Sequence, residues 1–461
     1  MSLATRSPGG PAERIRLIIL ITLLVLCVAG GGASRTDVLS LVYLRPAALL
    51  CLAALLLLPG GLDFRSLRIP LLLLAALALT MLIQLIPLPP GLWESLPARE
   101  RYAEAGALAG MPDAWRPISL APDLTLNSLV TLVFPLTVLV AMAGLRPHQH
   151  KTLLHALIVA ACLSALLGIF QVTGGADSLF YLYAVTHEGS AVGFFANRNH
   201  QAVLLALTLP MLKLWTLMPT EDRGYQRTRY WIASATALFL VPMILVTGSR
   251  AGMALGLLSL LMAHFLLPRE LRAGESRPAW ARFATPAAWL APVGLAIVVI
   301  LMKRAVAIDR LALLSDPQSE LRLQHLPLLT RMVWDFFPVG IGFGSFDPVF
   351  RGFESDHTLH PLYFNHAHND LVELVLTGGL PALLILAAFA IWVARRGYAV
   401  LVPLRFRSPR TLFARVGALI IFLTFLASLV DYPLRTPLFA VVFTIACAWL
   451  APVRDVPRAR S

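Results

Sequence analysis

Apolar stretches of about 20 residues, enough for a helix to cross a bilayer, recur along the chain with short polar breaks between them. Twelve are visible, near 15–33, 38–58, 69–86, 124–145, 152–172, 200–218, 230–247, 251–268, 284–302, 371–394, 411–431 and 434–452. Only "TGSRAG", at 247–252, parts the seventh from the eighth. This pattern predicts an all-α fold, a polytopic membrane bundle of about twelve transmembrane helices in a single domain over 1–461. There is no internal repeat and no low-complexity tract. Nor does the pattern show the Gly/Pro-interrupted segments in matching halves that mark inverted-repeat transporters.

The polar breaks give an orientation. Basic residues collect at alternate ends: Arg6, Arg14 and Arg16; Arg65 and Arg68; Arg146 and Lys151; Arg223, Arg227 and Arg229; Arg269 to Arg282; Arg395 to Arg410; Arg454 to Arg460. Cytoplasmic loops carry this excess, so both termini are expected in the cytoplasm. Two long loops then face the outer side, 87–123 and 303–368. The second contains "DPQSELRLQHLPLLTRMVWDFFPVGIGFGSFDPVF", too apolar for a disordered linker, so short helices lying over the bundle are expected there.

Composition agrees. Of 461 residues, 58% are hydrophobic and 14% charged, with a mean hydropathy of +0.75. The net charge of +13 is accounted for mostly by cytoplasmic loops, which argues against a nucleic-acid partner. Cys27, Cys51, Cys162 and Cys447 all lie in apolar runs, which suits packing and not a disulfide framework or a zinc site. The polar start "MSLATRSPGGPAERIR" leads into a first span without a small-residue cleavage signal, so it is expected to be retained.

Against this background four polar clusters stand out, all on the expected outer side. They are "GFFANRNHQA" (193–202), "TGSRAG", "SELRLQHL" (319–326) and "NHAHNDLVELVLTGGLP" (365–381). Charge near hydrocarbon costs about 2.5–3.5 kcal/mol or more and needs a reason. Arg198, Arg250 and Arg322 carry forked donors that match phosphate oxygens. The Asn199–His200 pair and the Gly-rich turn before Arg250 sit at predicted helix starts, where free N–H groups favour an anion. His368 can move a proton near neutral pH. Together they suit a site that holds a diphosphate and activates a hydroxyl.

Plainer readings stand beside these. Arg198 fits an interfacial anchor equally well, and the same reading applies less well to Arg250. His366 suits a local loop hydrogen bond, and His368 a helix-start hydrogen bond. Asn369 and Asp370 are good capping types. A metal pair of His366 and His368 would need further ligands such as Asp370 and Glu373, and His-x-His alone is a weak signal. "GIGFGSF", at 340–346, follows no strand and reads as tight turns.

In this order, and over about 165–440, the clusters resemble the bacterial O-antigen ligase and polymerase superfamily of membrane glycosyltransferases. The first 120 residues are similar only in hydropathy. The resemblance implies a helical bundle of the C-type glycosyltransferase kind. It implies transfer of a glycan from undecaprenyl diphosphate to an acceptor hydroxyl on the periplasmic face, with inversion and without metal, cofactor or nucleotide sugar. Carried onto this chain, Arg250 and Arg322 hold the diphosphate and His368 is essential, with Arg198 and Asn369 as helpers; Asn197, Asn199, His366 and Asp370 are further candidates for substrate binding. The ligase reading takes lipid A–core as acceptor. A polysaccharide polymerase would take a lipid-linked repeat instead. A flippase for a polyprenyl-linked glycan is a reading of another class; it needs a polar path through the whole membrane, and the cytoplasmic halves of the spans carry few charges.

Overall fold

Every expected span within the described residues folds as a helix. The structure is a computed structural model that describes residues 10–267, 317–354, 364–402 and 408–451, without the side chains of Arg223 and of 317–323. The ninth expected span, near 284–302, lies outside the described residues.

The first spans are α1 (Pro11–Gly30), α2 (Ser40–Leu57) and α3 (Arg68–Gln84). The fourth is a pair, α6 (Pro122–Thr131) and α7 (Val133–Ala143). Then come α8 (Pro147–Thr173), α9 (Arg198–Leu217), α10 (Arg223–Val246) and α11 (Arg250–Phe265). The last three are α14 (Asp370–Leu401), α15 (Pro409–Ser428) and α16 (Pro437–Leu450), the final two joined through a 3-10 turn at Pro433–Arg435. Among the described residues, seven helices, with α6–α7 as one, are long and apolar enough to cross a bilayer; α3, α11 and α16 are apolar but shorter. The chain is a multi-pass membrane protein. Its four cysteines are free, Cys27 and Cys447 buried and the other two half-buried.

Successive spans alternate in direction, so their ends collect at two faces. At one face Arg16 Nη2 donates to the Pro59 and Gly60 carbonyls at 2.9 and 3.1 Å. There too Arg146 pairs with Glu13 at 2.6 Å, and Trp449 Nε1 donates to His150 at 3.2 Å. At the other face Ala196 N donates to Gly32 O at 3.2 Å and Leu438 N to Gly31 O at 2.9 Å. Helix α9 is the hub, packed by α8, α10, α11 and α15.

The first long loop is folded. Its β1 (Pro87–Leu88) pairs antiparallel with β2 (Arg116–Pro117) around α4 (Pro90–Glu94) and α5 (Glu100–Leu108). In the second, α12 (Pro317–Phe336) is longer than the short helices expected there, and α13 (Phe346–Arg351) follows it. Leu329, Met332 and Phe336 of α12, Phe346 and Phe350 of α13, and Leu376 of α14 form a second apolar core over this face of the bundle.

The glycine turns between α12 and α13 answer a break in α14. Pro381 has no N–H to give to the carbonyl four residues back, that of Thr377. Leu380 N turns away from Leu376 and donates to Pro338 O at 2.8 Å. The two freed carbonyls accept from Ile341 N and Gly342 N, each at 3.0 Å, and Gln84 Nε2 adds a bond to Thr377 O at 2.9 Å. Gly379 sits at the break with φ +59°. A Cβ there would lie 2.2 Å from Pro338 O.

Backbone strain of about 1–3 kcal/mol and that clash should make Gly379→Ala costly. Its folded, monodisperse yield in detergent is expected to fall several-fold by fluorescence-detected size-exclusion chromatography. Gly397→Ala, in the same helix with nothing within 4 Å of an added Cβ, should be neutral. Equal yields would detach the break from folding.

Candidate functional site

The site grows from the first turn of α9. The end of the loop before it, residues 190–197, is mostly buried and held by α8. Gln171 Oε1 accepts from Val192 N and Gly193 N at 3.0 and 2.7 Å, and its Nε2 donates to Gly193 O at 2.9 Å. Ser164 Oγ accepts from Phe194 N at 3.0 Å and donates to Gln201 at 2.6 Å. Asn197 then caps α9, its Oδ1 accepting from Asn199 N at 2.8 Å. Arg198 is the first helical residue, half-buried, with its N–H on His187 Nδ1 at 3.3 Å.

The start of α11 lies alongside. Ser249 caps it through Gly252 N at 3.0 Å, and Arg250 is its first residue, exposed. A Cβ on Gly252 would sit 2.2 Å from Ala202 Cβ, so the glycine lets the two helix starts approach closely. The "NRNH" and "TGSR" stretches are therefore neighbours.

The third start is α14. Asn369 Oδ1 caps it, accepting from Leu371 N and Val372 N at 3.0 and 3.1 Å. Asp370 does not cap; it accepts from Ser428 Oγ at 2.8 Å and pairs with Arg435 Nε at 3.2 Å. Buried Glu373 lies 3.5 Å from Arg435 Nη2 and 3.1 Å from His366 Nδ1, and accepts from Ala367 N at 2.9 Å. His368 takes a left-handed φ of +49°, uncommon away from glycine.

These starts meet at Asp431, just after α15. Its Oδ2 accepts from Asn199 Nδ2 at 2.6 Å, and Asn197 Nδ2 lies 3.5 Å from both oxygens. Its Oδ1 is 3.7 Å from His200 Nε2 and 3.8 Å from His368 Nδ1. Tyr432 packs against three imidazoles, with ring centroids 4.6 Å from His366, 4.8 Å from His368 and 5.3 Å from His200. His200 is 1% exposed, and neither ring nitrogen has a hydrogen-bond partner among the described residues. For Arg435, burial acts against the charge, but the Glu373 and Asp370 carboxylates outweigh it and raise its pKa above the ordinary value. Among the described residues no three His, Cys, Asp or Glu side chains form a metal-ligand set.

Arg322 stands in the second turn of α12; its side chain is outside those described. One turn later, buried His325 packs on Phe364 at 4.8 Å, and Phe364 packs on His368 at 5.0 Å. Of the residues expected from sequence, Asn197, Asn199, His366, His368, Asn369 and Asp370 thus share one network. Arg198 and Arg250 start the two helices beside it. Sequence reasoning passed over Asp431, Tyr432 and Arg435; it offered Glu373 only as a possible metal ligand and His200 only as part of a helix start. The signal was present in "VDYPLRTP" (430–437), where an acid and a base interrupt two apolar spans.

Residues 235–387 match the family model described as O-antigen ligase. Over that third of its length the chain is similar to the O-antigen ligase family. No curated protein matches the chain. The O-antigen ligase stretch contains "TGSRAG", "SELRLQHL" and "NHAHND", but not the start of α9, Asp431 or Arg435. The polar network joins these outlying residues to the matched region.

Removing one partner of a buried ion pair leaves an uncompensated charge, at a cost of about 3–5 kcal/mol. Arg435→Ala strands both Asp370 and Glu373. Its melting temperature in detergent should fall well below that of the unaltered protein, and below that of Arg351→Ala, which breaks an exposed pair with Asp347. Equal melting of the two variants would show that Arg435 does not hold this face together.

Proposed function

We propose that this protein transfers a glycan from undecaprenyl diphosphate to a hydroxyl of lipid A–core on the periplasmic face of the inner membrane, without metal and with inversion. The observation that carries the reading is the meeting of His368 with Asp431 and the "NRNH" start of α9, beside the Arg250 start of α11. On this reading both termini are cytoplasmic, and the network opens to the periplasm. A polymerase would use the same donor and differ in its acceptor.

The chemistry follows from the residues. With Asp431 Oδ1 3.8 Å from Nδ1, Nε2 of the His368 ring is left to take the acceptor hydroxyl's proton. The acceptor oxygen then bonds to the anomeric carbon from the face opposite the leaving group. The glycosidic carbon–oxygen bond to the diphosphate breaks, and the diphosphate departs with the electron pair. Arg250 and Arg322, with Arg198, would stabilise the charge gathering on it. The N-termini of α9, α11, α14 and α16 add their positive dipole ends. Asp431 is a positioning residue here, holding the His368 ring against Asn199.

In cells lacking the native protein, with membrane abundance measured alongside, His368→Ala should abolish mature glycan. Arg322→Lys keeps the charge but loses the fork, and transfer should fall about tenfold or more, a barrier change of about 1.4 kcal/mol per factor of ten. Glycan on lipid A–core identifies a ligase; lengthened lipid-linked glycan identifies a polymerase. Near-normal product from His368→Ala at normal abundance would sink the proposal.

Transfer by the purified protein should also survive excess EDTA, because fixed guanidinium groups take the place of a divalent ion. Activity lost to EDTA and restored by Mg²⁺ or Mn²⁺ would promote His366, His368 and Asp370 to metal ligands.

A further inference from the structure

Away from this network, α2 carries an arginine inside an apolar span. Arg45 is five residues past the start of α2, at the end of that helix nearer the site. Its Nη1 donates to Asn127 Oδ1 at 2.8 Å, and its Nη2 lies 3.4 Å from Asn127 O and 3.2 Å from Thr131 Oγ1. All three partners are neutral and belong to α6. No carboxylate pairs with it among the described residues, and its Nε is buried without a hydrogen-bond partner. Arginine stays charged, so a full positive charge is fixed at membrane level with no counter-ion from the described chain.

That charge borders a groove of about 490 Å³ between α2 and α6. The walls are apolar and face outward: Val42 is 71% exposed, Leu49 50% and Val130 37%. Pro46, next to Arg45, takes one backbone hydrogen bond out of α2. The one acid lining the groove, Asp37, is already held by Arg35 through bonds of 2.9 and 2.5 Å. Thr36 is the other polar lining residue. A snorkelling arginine swings freely to water; this one is tethered across two helices.

We propose that the groove between α2 and α6 binds an anionic glycerophospholipid, with its phosphate on Arg45 and an acyl chain along Leu49 and Val130. Charge complementarity selects the headgroup, and the open apolar walls select a lipid tail over a free phosphate ion. The Gly31–Gly32 part of the same α1–α2 connection touches Phe194 and Pro437, so a lipid held here sits beside the helix starts of the site.

Detergent-solubilised full-length protein is titrated with phosphatidylglycerol, phosphatidylcholine or inorganic phosphate, and its melting temperature is followed. Phosphatidylglycerol should raise it at much lower concentration than phosphatidylcholine, and phosphate should have no effect. Arg45→Gln should move the phosphatidylglycerol midpoint up about tenfold, a single charge-assisted contact being worth roughly that factor. Leu49→Trp, which fills the groove from a membrane-exposed position, should weaken the same response while keeping the charge. Equal response to the two lipids, an equal response to phosphate, or an unchanged phosphatidylglycerol preference in the variants that fold would overturn the proposal. None of these readings involves glycan transfer, so they stand or fall apart from the proposed activity.

Discussion

A carboxylate buried at the end of a membrane helix must be compensated, and here that constraint is met at Asp431. Its oxygens reach side chains from the start of α9 and the approach to α14, while the residue itself links α15 to α16. One uncompensated acid at this depth would cost several kcal/mol. Asn199 and Asn197 donate to it, and the rings of His200 and of His368, the latter far off in sequence, lie 3.7 and 3.8 Å away. Their common need fixes the relative positions of the helix starts. Asp370 and Glu373 repeat the device with Arg435 and Ser428, so the face is held by two linked polar clusters and not by apolar packing alone.

The break in α14 is the second constraint, and it works through backbone groups. A helix interrupted by Pro381 leaves carbonyls that hydrocarbon cannot satisfy. They are satisfied by Gln84 and by the N–H groups of the glycine turns, which thereby pin the second long loop to the bundle. The segment carrying Asp370 and Glu373 is the short piece before the break, packed under the second apolar core through Leu376. Network and lid-like layer are therefore two sides of one stretch of chain, and disturbing the break would disturb both.

Much of the fold was legible in the sequence because hydrocarbon demands long apolar runs. Even the short "TGSRAG" connection was readable: Gly248 turns left-handed at φ +68° and Ser249 caps the next helix. What could not be read was the length of α12, whose mixed composition has no simple period, and the division of the fourth span at Leu132. In the site, His368, Asn199 and Asp370 were visible because polar side chains at helix starts are conspicuous in an apolar chain. Asp431 was not, since its meaning lies in what it faces, and it faces residues more than sixty positions away. Asn369 and Asp370 looked interchangeable as caps; only the fold separates them, giving the amide the backbone N–H groups and the acid to Arg435.

The charge balance of the network bears on how an anion would be held beside it. Of the three carboxylates Asp370, Glu373 and Asp431, Arg435 engages the first two. With all three ionised and the imidazoles neutral, these four groups alone would sum to a net negative charge, which would repel a diphosphate. A protonated His368 offsets one charge and no more. On the proposed reading the attraction must therefore come from Arg198 and Arg250 at the neighbouring helix starts and from Arg322, one turn before His325. The division suits the chemistry. On that reading the carboxylates lie beside the proton acceptor and the arginines beside the leaving group, so the two charges that develop together in the transition state would meet opposite fields.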